Sequence, residues 1–376
     1  MKIRTVTVGI PDAFSQEQLQ FAVDLNRRCQ SRFESHGYEV QTTRVNSQAW
    51  DAISSVDQVL ELDHRVVELG GEFFSLGTIF PRHPQTPAHL SLVSDIISQS
   101  RTLFTSATVT TPDQQIGWEA AEKTAAAITQ IAHKTDGGLG NLRFAAIMNC
   151  PPNTPFFPAA YWQDEGFNLG IGWQAADLVY DAFVDAPNLT IASERLKMSM
   201  EQEGKQIAAL TEEIAKEAGI RFVGLDVSPA PMGVESIASA IEAQLSGRFG
   251  ERGTLTVVAA ITWVLDSLDL PRCGYSGLML PVLEDEVLGN RSDEGCFNLD
   301  SLLLYSAVCG TGLDTIPIPG DASISQICGI LTDVASLSIR WGKPLSARLF
   351  PVPGLSAGEL TRFDSPYLTN TTVMAL

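Results

Sequence analysis

A chain of 376 residues with 44 acidic and 25 basic side chains carries a formal net charge of −19, which repels nucleic-acid phosphates and anionic membranes. Its 44% apolar and 18% charged composition argues against disorder, and at this length one α/β barrel is as natural as two average domains. The alternating start of the chain has no secretory apolar core and no run reaches the ~18 apolar residues that span a bilayer; with no CxxC pair among Cys29, Cys150, Cys273, Cys296, Cys309 and Cys328, reduced thiols and a cytoplasmic location are expected.

The pattern predicts a strand over 3–10 and then a helix over 15–35, with Leu19, Ala22, Leu25, Cys29 and Phe33 on one face and Gly37 closing it. A strand over 38–45 and a helix over 56–69 follow. Strands are expected over 72–80, 103–109, 143–149 and 167–172, with helices over 88–99, 118–133 and 173–182. The clearest helix spans 192–218, its polar side carrying Glu201, Lys205, Glu212, Glu213, Lys216 and Glu217, and it leads into a strand over 221–227. Helices over 234–245 and 254–268, a strand over 277–282, a helix over 299–312, a strand over 315–318, a helix over 323–339 and a strand over 347–352 complete the chain.

Nine or ten βα-like units are too many for a simple dinucleotide-binding domain and too regular for an α+β protein. One closed or nearly closed α/β barrel over 1–376 is the economical solution. Two segments stand apart from the alternation. Residues 150–165 set Pro151, Pro152, Pro155 and Pro158 among Phe156, Phe157, Tyr161 and Trp162, which reads equally as a stiff lid or as a loop packing on the barrel rim, and the tail from about 354 reads as irregular.

In α/β proteins ligands gather beyond the carboxyl ends of the strands, so polar residues there are candidates. Asn149 and Asn153 follow one predicted strand, Asn168 sits in the next, Asp226 and Ser228 end another, and Asp314 precedes a short one. Asparagines hold carbonyl or hydroxyl groups; carboxylates serve as bases or bind hard cations. Asp226 fits a base or a local backbone cap about equally well. Glu284-Asp285-Glu286 reads first as the dipole-favoured opening turn of a helix and second as a cation site.

His36, His64, His83, His89 and His133 never pair as HxxxH or HxH, and only His83 and His89, flanking Pro84 and Pro87, merit a test. Asp136-Gly137-Gly138-Leu139-Gly140 lacks the strand and helix that a dinucleotide site needs, and no Walker lysine motif is present. Arg272-Cys273-Gly274-Tyr275-Ser276-Gly277 resembles a glycyl-radical signature, yet it is one residue short and about a hundred residues before the end. A radical role is rejected.

Val6-Thr7-Val8-Gly9-Ile10, Leu225-Asp226-Val227-Ser228-Pro229-Ala230-Pro231, Ser236-Ile237-Ala238, Tyr275-Ser276-Gly277 with Leu280-Pro281-Val282-Leu283-Glu284-Asp285-Glu286, and the stretch from Cys309 to Pro319 together resemble the domain-of-unknown-function family 711, the UPF0210-type proteins. The resemblance covers most of the chain in order. It implies a ten-stranded α/β barrel similar to that of pyruvate formate-lyase and ribonucleotide reductase, without the radical, and it implies no settled activity. Asp226, Ser228, Ser276, Glu284, Asp285, Glu286, Asp314 and Arg348 carry over from the family pattern. The chain departs from it at Tyr161 or Trp162, where the family has a histidine, and around Phe104 to Thr108.

The expected function is an enzyme acting on a small polar or anionic metabolite. Asp226, Glu284, Glu286 and Asp314 would be the acids and bases; Asn149, Asn153, Asn168, Ser228 and Ser276 would orient substrate, and Arg348 would hold an anionic group. Asp226, Glu284 and Asp285 would be the ligands of a divalent cation, Mg or Ca. The expected partners are a small-molecule ligand and further copies of the chain, with no nucleic acid and no membrane. The alternative is a non-catalytic, oligomeric barrel that binds or senses a metabolite.

Overall fold

The alternation in Lys2–Gly9 (β1) sorts its side chains onto two faces. Ile3, Val6 and Val8 are buried in the apolar layer, while Thr5 and Thr7 turn the other way with their hydroxyls 3.1 Å apart. The helix Gln16–Ser35 begins where the Ser15 hydroxyl accepts from Gln18 N, and it buries Leu19, Ala22, Leu25, Cys29 and Phe33 in the same layer. The computed structural model describes residues 2–376 and continues this alternation along the chain.

The remaining strands are Glu39–Val40 (β2), Thr43–Asn46 (β3), Phe73–Ile79 (β4), Leu103–Thr108 (β5), Phe144–Met148 (β6), Asn168–Gln174 (β7), Arg221–Asp226 (β8), Gly312–Pro319 (β9) and Leu345–Val352 (β10). They form a ten-stranded sheet in the order β8-β7-β1-β3-β4-β5-β6-β10-β9, with β2 beside the start of β1. β1 and β3 to β6 are parallel to one another, as are β7 with β8 and β9 with β10. The two senses meet antiparallel at β1–β7 and β6–β10.

β8 and β9 do not pair with each other. Residues 271–283 lie between them: Leu225 N donates to Pro271 O and Cys273 N to Leu225 O on one side, and Gly310 N donates to Leu278 O and Val282 N to Asp314 O on the other. The strand predicted over 277–282 is therefore an irregular stave with isolated bridges. Gly274 and Ser276 at positive φ and Pro281 without an N–H prevent a regular ladder there.

Other boundaries differ in instructive ways. The predicted 38–45 strand divides into β2 and β3, and the helix expected over 173–182 starts at Ala176 because Trp173 and Gln174 stay in β7. The helix expected over 234–245 shortens to Ile237–Glu242. The one expected over 299–312 stops at Ser306; Gly312 opens β9, and Asp314 lies inside that strand instead of ahead of it. No helix among the described residues is long and apolar enough to cross a membrane.

The proline-rich loop is not a lid. Thr7 Oγ1 of β1 donates to Pro155 O at 3.0 Å, Ser75 Oγ of β4 donates to Ala160 O at 2.6 Å, and Phe157 packs 5.2 Å from the Phe104 ring of β5. Arg44 of β3 lies against Phe157, and Phe156 lies against Gly172 of β7. A segment touched by five staves sits inside the cylinder. A barrel of about eight strands is just wide enough for side chains to fill, so a wider one needs backbone within it. Beyond β10 the tail folds back, burying Phe363, Leu368 and Val373 against Leu283 and Phe350.

The irregular stave crosses the turn before β9 at two glycines. A Cβ on Gly277 would sit 2.3 Å from Gly310 Cα, whereas one on Gly329, inside the helix Ile324–Trp341, would meet nothing. Gly277→Ala should therefore destabilise the protein by about 1–3 kcal/mol, and Gly329→Ala should stabilise it by roughly 0.5–1 kcal/mol. Urea midpoints read both; an unchanged midpoint for Gly277→Ala would show that the crossing has room to relax.

Candidate functional site

The inserted loop leaves part of the barrel interior open, as a cavity of about 450 Å³. It lies toward the amino-terminal ends of β1 and β3 to β6: Arg44 and Phe73 are among the first residues of their strands, and Arg101 and Arg143 just precede β5 and β6. This is the opposite end from the one that strand-end reasoning favours.

Two β-bulges aim charged side chains into it. The β1–β7 register slips between Ile3 and Thr5, which makes Arg4 the extra residue. The β9–β10 register slips between Ala347 and Leu349, so that Asp314 and Thr315 together oppose Arg348. Glu284, from the end of the irregular stave, joins the two. Arg4 Nη2 donates to its Oε2 at 2.8 Å and Arg348 Nη2 to its Oε1 at 2.6 Å, while Arg348 Nε donates to Asp314 Oδ1 at 2.7 Å.

This ion chain is dry, with Arg4 and Glu284 only 7% and 6% exposed. Against the opposing pull of burial, Asp314 and Glu284 hold Arg348 above its ordinary value. Arg4 is pushed down by burial, and its Nη1 is buried without a hydrogen-bond partner among the described residues.

Arg44 stands beside this chain with less support. Its Nε donates to Thr42 Oγ1 at 3.1 Å, and its guanidinium carbon lies 5.1 Å from the Phe157 ring centre and 5.9 Å from that of Phe73. No carboxylate among the described residues forms an ion pair with it. Burial and then the neighbouring Arg4 push Arg44 down to about 9. Delocalisation of the guanidinium still keeps it cationic at neutral pH.

Around these charges the wall is aromatic. Phe73 stands 5.1 Å from Phe104 and 6.3 Å from Tyr367, and Phe104 stands 5.2 Å from Phe157. Burial raises the Tyr275 hydroxyl well above its usual range and pushes the nearby Cys150 thiol up to about 12. Neither is a ready nucleophile at neutral pH.

Of the residues selected from the sequence, Glu284, Asp314 and Arg348 meet at this cavity. Asp226 does not line it. Its Oδ1 accepts from Ser228 N and Oγ and from Ser276 N, and its Oδ2 accepts from Tyr275 N at 2.7 Å, so it staples the irregular stave to the end of β8. Ser228 extends that staple by accepting from Gly277 N, and the Ser276 hydroxyl donates to Cys273 O. Asp285 caps two helices at once, accepting from Val287 N and Leu288 N of its own and from Ser236 Oγ and Ile237 N of the other. In both carboxyls, burial raises the pKa against the pull of these donors. Glu286 is exposed on the first turn after Asp285.

Asn153 and Asn168 serve the inserted loop, and Asn149 bonds outside it. Asn153 Oδ1 accepts from Gln163 N and Asn168 Nδ2, which clasps the base of the loop at the far end of β7, and Asn149 Nδ2 donates to Ser338 Oγ. His83 and His89 stack on each other, 5.7 Å apart, away from the cavity lining. The proposed cation ligands Asp226, Glu284 and Asp285 share no site. Among the described residues no three His, Cys, Asp or Glu side chains converge at metal-binding distance, and the donors already on Asp226 and Asp285 leave an unsuitable set for Mg or Ca. Sequence reasoning missed Arg4 and Arg44. Their signal was a lone arginine inside an otherwise apolar or alternating strand.

The family model described as uncharacterised ACR (DUF711) matches residues 1–364. A UPF0210 protein of Pyrobaculum aerophilum is 35% identical over 236 residues, 58% of this chain and 51% of the relative. One from Pyrobaculum arsenaticum is 34% identical over 230 residues, with the same two shares. The UPF0210 protein of Methanosarcina acetivorans is 25% identical over 398 residues, 96% of this chain and 86% of the relative. The chain thus spans about half the length of the two Pyrobaculum relatives it matches.

If Asp226 is a joint, its loss should register in stability first. In Asp226→Asn the amide would set its own N–H groups against backbone donors, a loss of about 2–3 kcal/mol. Chemical denaturation checks the size, and a fully stable Asp226→Asn protein would return the residue to the list of reacting groups.

Proposed function

The chain belongs to the DUF711 family of uncharacterised proteins, and from that premise we propose that it is an enzyme that takes a small anionic metabolite into the barrel cavity, with Arg4 and Arg44 holding the anion. The carrying observation is the buried Nη1 of Arg4, unpartnered among the described residues, near an Arg44 that forms no ion pair among them, inside a chain whose net charge is −19. A buried donor without a partner is costly, and an anionic oxygen supplies what is missing. The volume of about 450 Å³ falls in the ~300–1,000 Å³ range of small-molecule sites.

Acid–base chemistry is the reaction class this wall supports. Arg4 holds Glu284 through Nη2, while its Nη1, buried and without a partner among the described residues, is the donor left over for an anion. An anion on Nη1 draws Arg4 toward itself and weakens its hold on Glu284, which frees a carboxylate oxygen at the moment substrate arrives. Glu284 is then the base and Arg348 with Asp314 its fixed support. No step is routed through a metal ion, since Asp226 and Asp285 are spent on backbone and hydroxyl donors and Glu284 on Arg4 and Arg348. The pyruvate formate-lyase-like type of barrel, without a radical, is part of the proposal, as are a reduced cytoplasmic setting and self-association.

A second reading is a barrel that binds the anion without turning it over. It is favoured by one observation: both carboxylates nearest the anion site are already ion-paired, and no histidine is among the lining residues. Thermal-shift screening of small carboxylates and phosphates, followed by mass spectrometry of the hits after incubation, separates the readings by whether product appears.

Arg44→Met should weaken binding of every such anion at least tenfold, about 1.4 kcal/mol or more. Arg44 is cationic below its lowered value and neutral above it, so anion affinity should stay flat from about pH 6 to about 8 and fall above about 9. Calorimetric titration across that range is the check. Affinity that rises with pH, or that ignores Arg44→Met, would place the anion elsewhere.

A further inference from the structure

Charge and shape in the cavity narrow the ligand further. Three arginines, the buried Arg4 and Arg348 and the partly buried Arg44, face two carboxylates, the buried Glu284 and the partly buried Asp314, leaving one cation in excess. Counting the mouth as well, five arginines and four carboxylates line the cavity, and the excess is again one. A second negative charge on a ligand held at Arg4 and Arg44 would therefore lie close to Glu284 or Asp314, where like charges repel strongly, while the two remaining lining arginines, Arg101 and Arg143, are matched in number by Asp136 and Asp364.

The rings decide the rest. Phe73, Phe104, Phe157 and Tyr367 form a connected aromatic wall, and Arg44 lies against two of its members. Nε of Arg44 is used by Thr42, which leaves the paired Nη groups as the free edge of a planar fork. A carboxylate docks on such a fork with two parallel bonds, and Arg4 Nη1 provides a third donor. The group attached to that carboxylate then lies along the aromatic wall. Rings in such contact prefer offset or edge-to-face neighbours, a preference that a flat ring in the ligand satisfies better than a branched aliphatic chain.

We propose that the cavity selects monocarboxylates with an aromatic body: one carboxylate on Arg4 and Arg44, and a ring against Phe73, Phe104, Phe157 and Tyr367. This deepens the cavity reading above and rests on it.

The test is calorimetric titration of the full chain with five probes. These are 3-phenylpropionate, its neutral amide, butyrate, phenyl phosphate and phenylsuccinate. 3-Phenylpropionate is expected to bind at least tenfold more tightly than butyrate, phenyl phosphate or phenylsuccinate, and the amide not to bind. Phe73→Leu, at a partly exposed wall position, should weaken 3-phenylpropionate several-fold and leave butyrate unchanged, whereas Arg44→Met should remove both. Tighter binding of phenyl phosphate or phenylsuccinate would overturn the single-charge claim, and equal binding of butyrate would overturn the ring claim; in either case the anion site itself stands. Absence of binding by every anion, or binding indifferent to Arg44→Met in a folded variant, would bring down both the inference and the reading beneath it.

Discussion

A cylinder of about ten staves encloses more volume than its inward side chains can occupy. Everything distinctive in this molecule follows from how that volume is filled. The loop after β6 enters the barrel, and inward positions are small or hydroxylated where it passes: Thr7 and Ser75 bond its carbonyls, and Gly172 leaves room for the Phe156 ring. A buried backbone segment must find partners for its polar groups, and these hydroxyls supply some of them. Where the loop ends, the cavity begins, and Phe156 and Phe157 belong to both.

The same irregularity that admits the loop also positions the charges. In an unbroken ladder, Arg4 would fall on the face opposite Thr5, in the apolar layer with Ile3's neighbours. The bulge adds one residue to β1 and lets consecutive side chains share the inner surface. The bulge at Asp314 and Thr315 does the same opposite Arg348, with Thr315 in the left-handed region and its hydroxyl accepting from Leu283 N. That bond ties β9 to the residue just before Glu284. The segment carrying Glu284 and the strand carrying Asp314 are thereby held together independently of the ion pairs.

Legibility in the sequence followed the range of the forces involved. Local rules recovered the long helices, because Ser15, Asn188 and Ser323 cap their starts and Gly219 and Gly342 end two of them within a few residues of the periodic pattern. They failed at residues 277–282, where apolar content resembles a strand but pairing is decided by partners dozens of positions away, such as Gly310 and Asp314, or by a proline. Asp226, Ser228 and Asp285 looked chemical because acids and hydroxyls near strand ends are ambiguous without their donors in view; each turned out to be saturated with backbone and hydroxyl bonds. The proline-aromatic loop was visible as a stiff unit, yet nothing in its composition distinguishes covering a rim from filling an interior. Arg4 and Arg44 were passed over because they lie within strands, near the end of the barrel that convention does not watch.

Burying an ion chain is a poor route to stability, since the desolvation of each charge can exceed the attraction gained, and apolar residues of similar volume often serve as well. Four paired groups could still be neutral in sum. Arg44 cannot be read that way, because it adds a fifth charge with no counter-ion, supported only by Thr42 and by ring faces. The many surface acids do little to balance it: at cellular ionic strength their fields decay over about 8 Å of water, while the cavity charges act through a medium that screens them far less. An anion crossing the mouth leaves a repulsive but screened exterior for an attractive and weakly screened interior. The gradient between the two concentrates selectivity at the point where Arg44 and Arg4 meet the open space, and a neutral molecule of the same shape does not feel it.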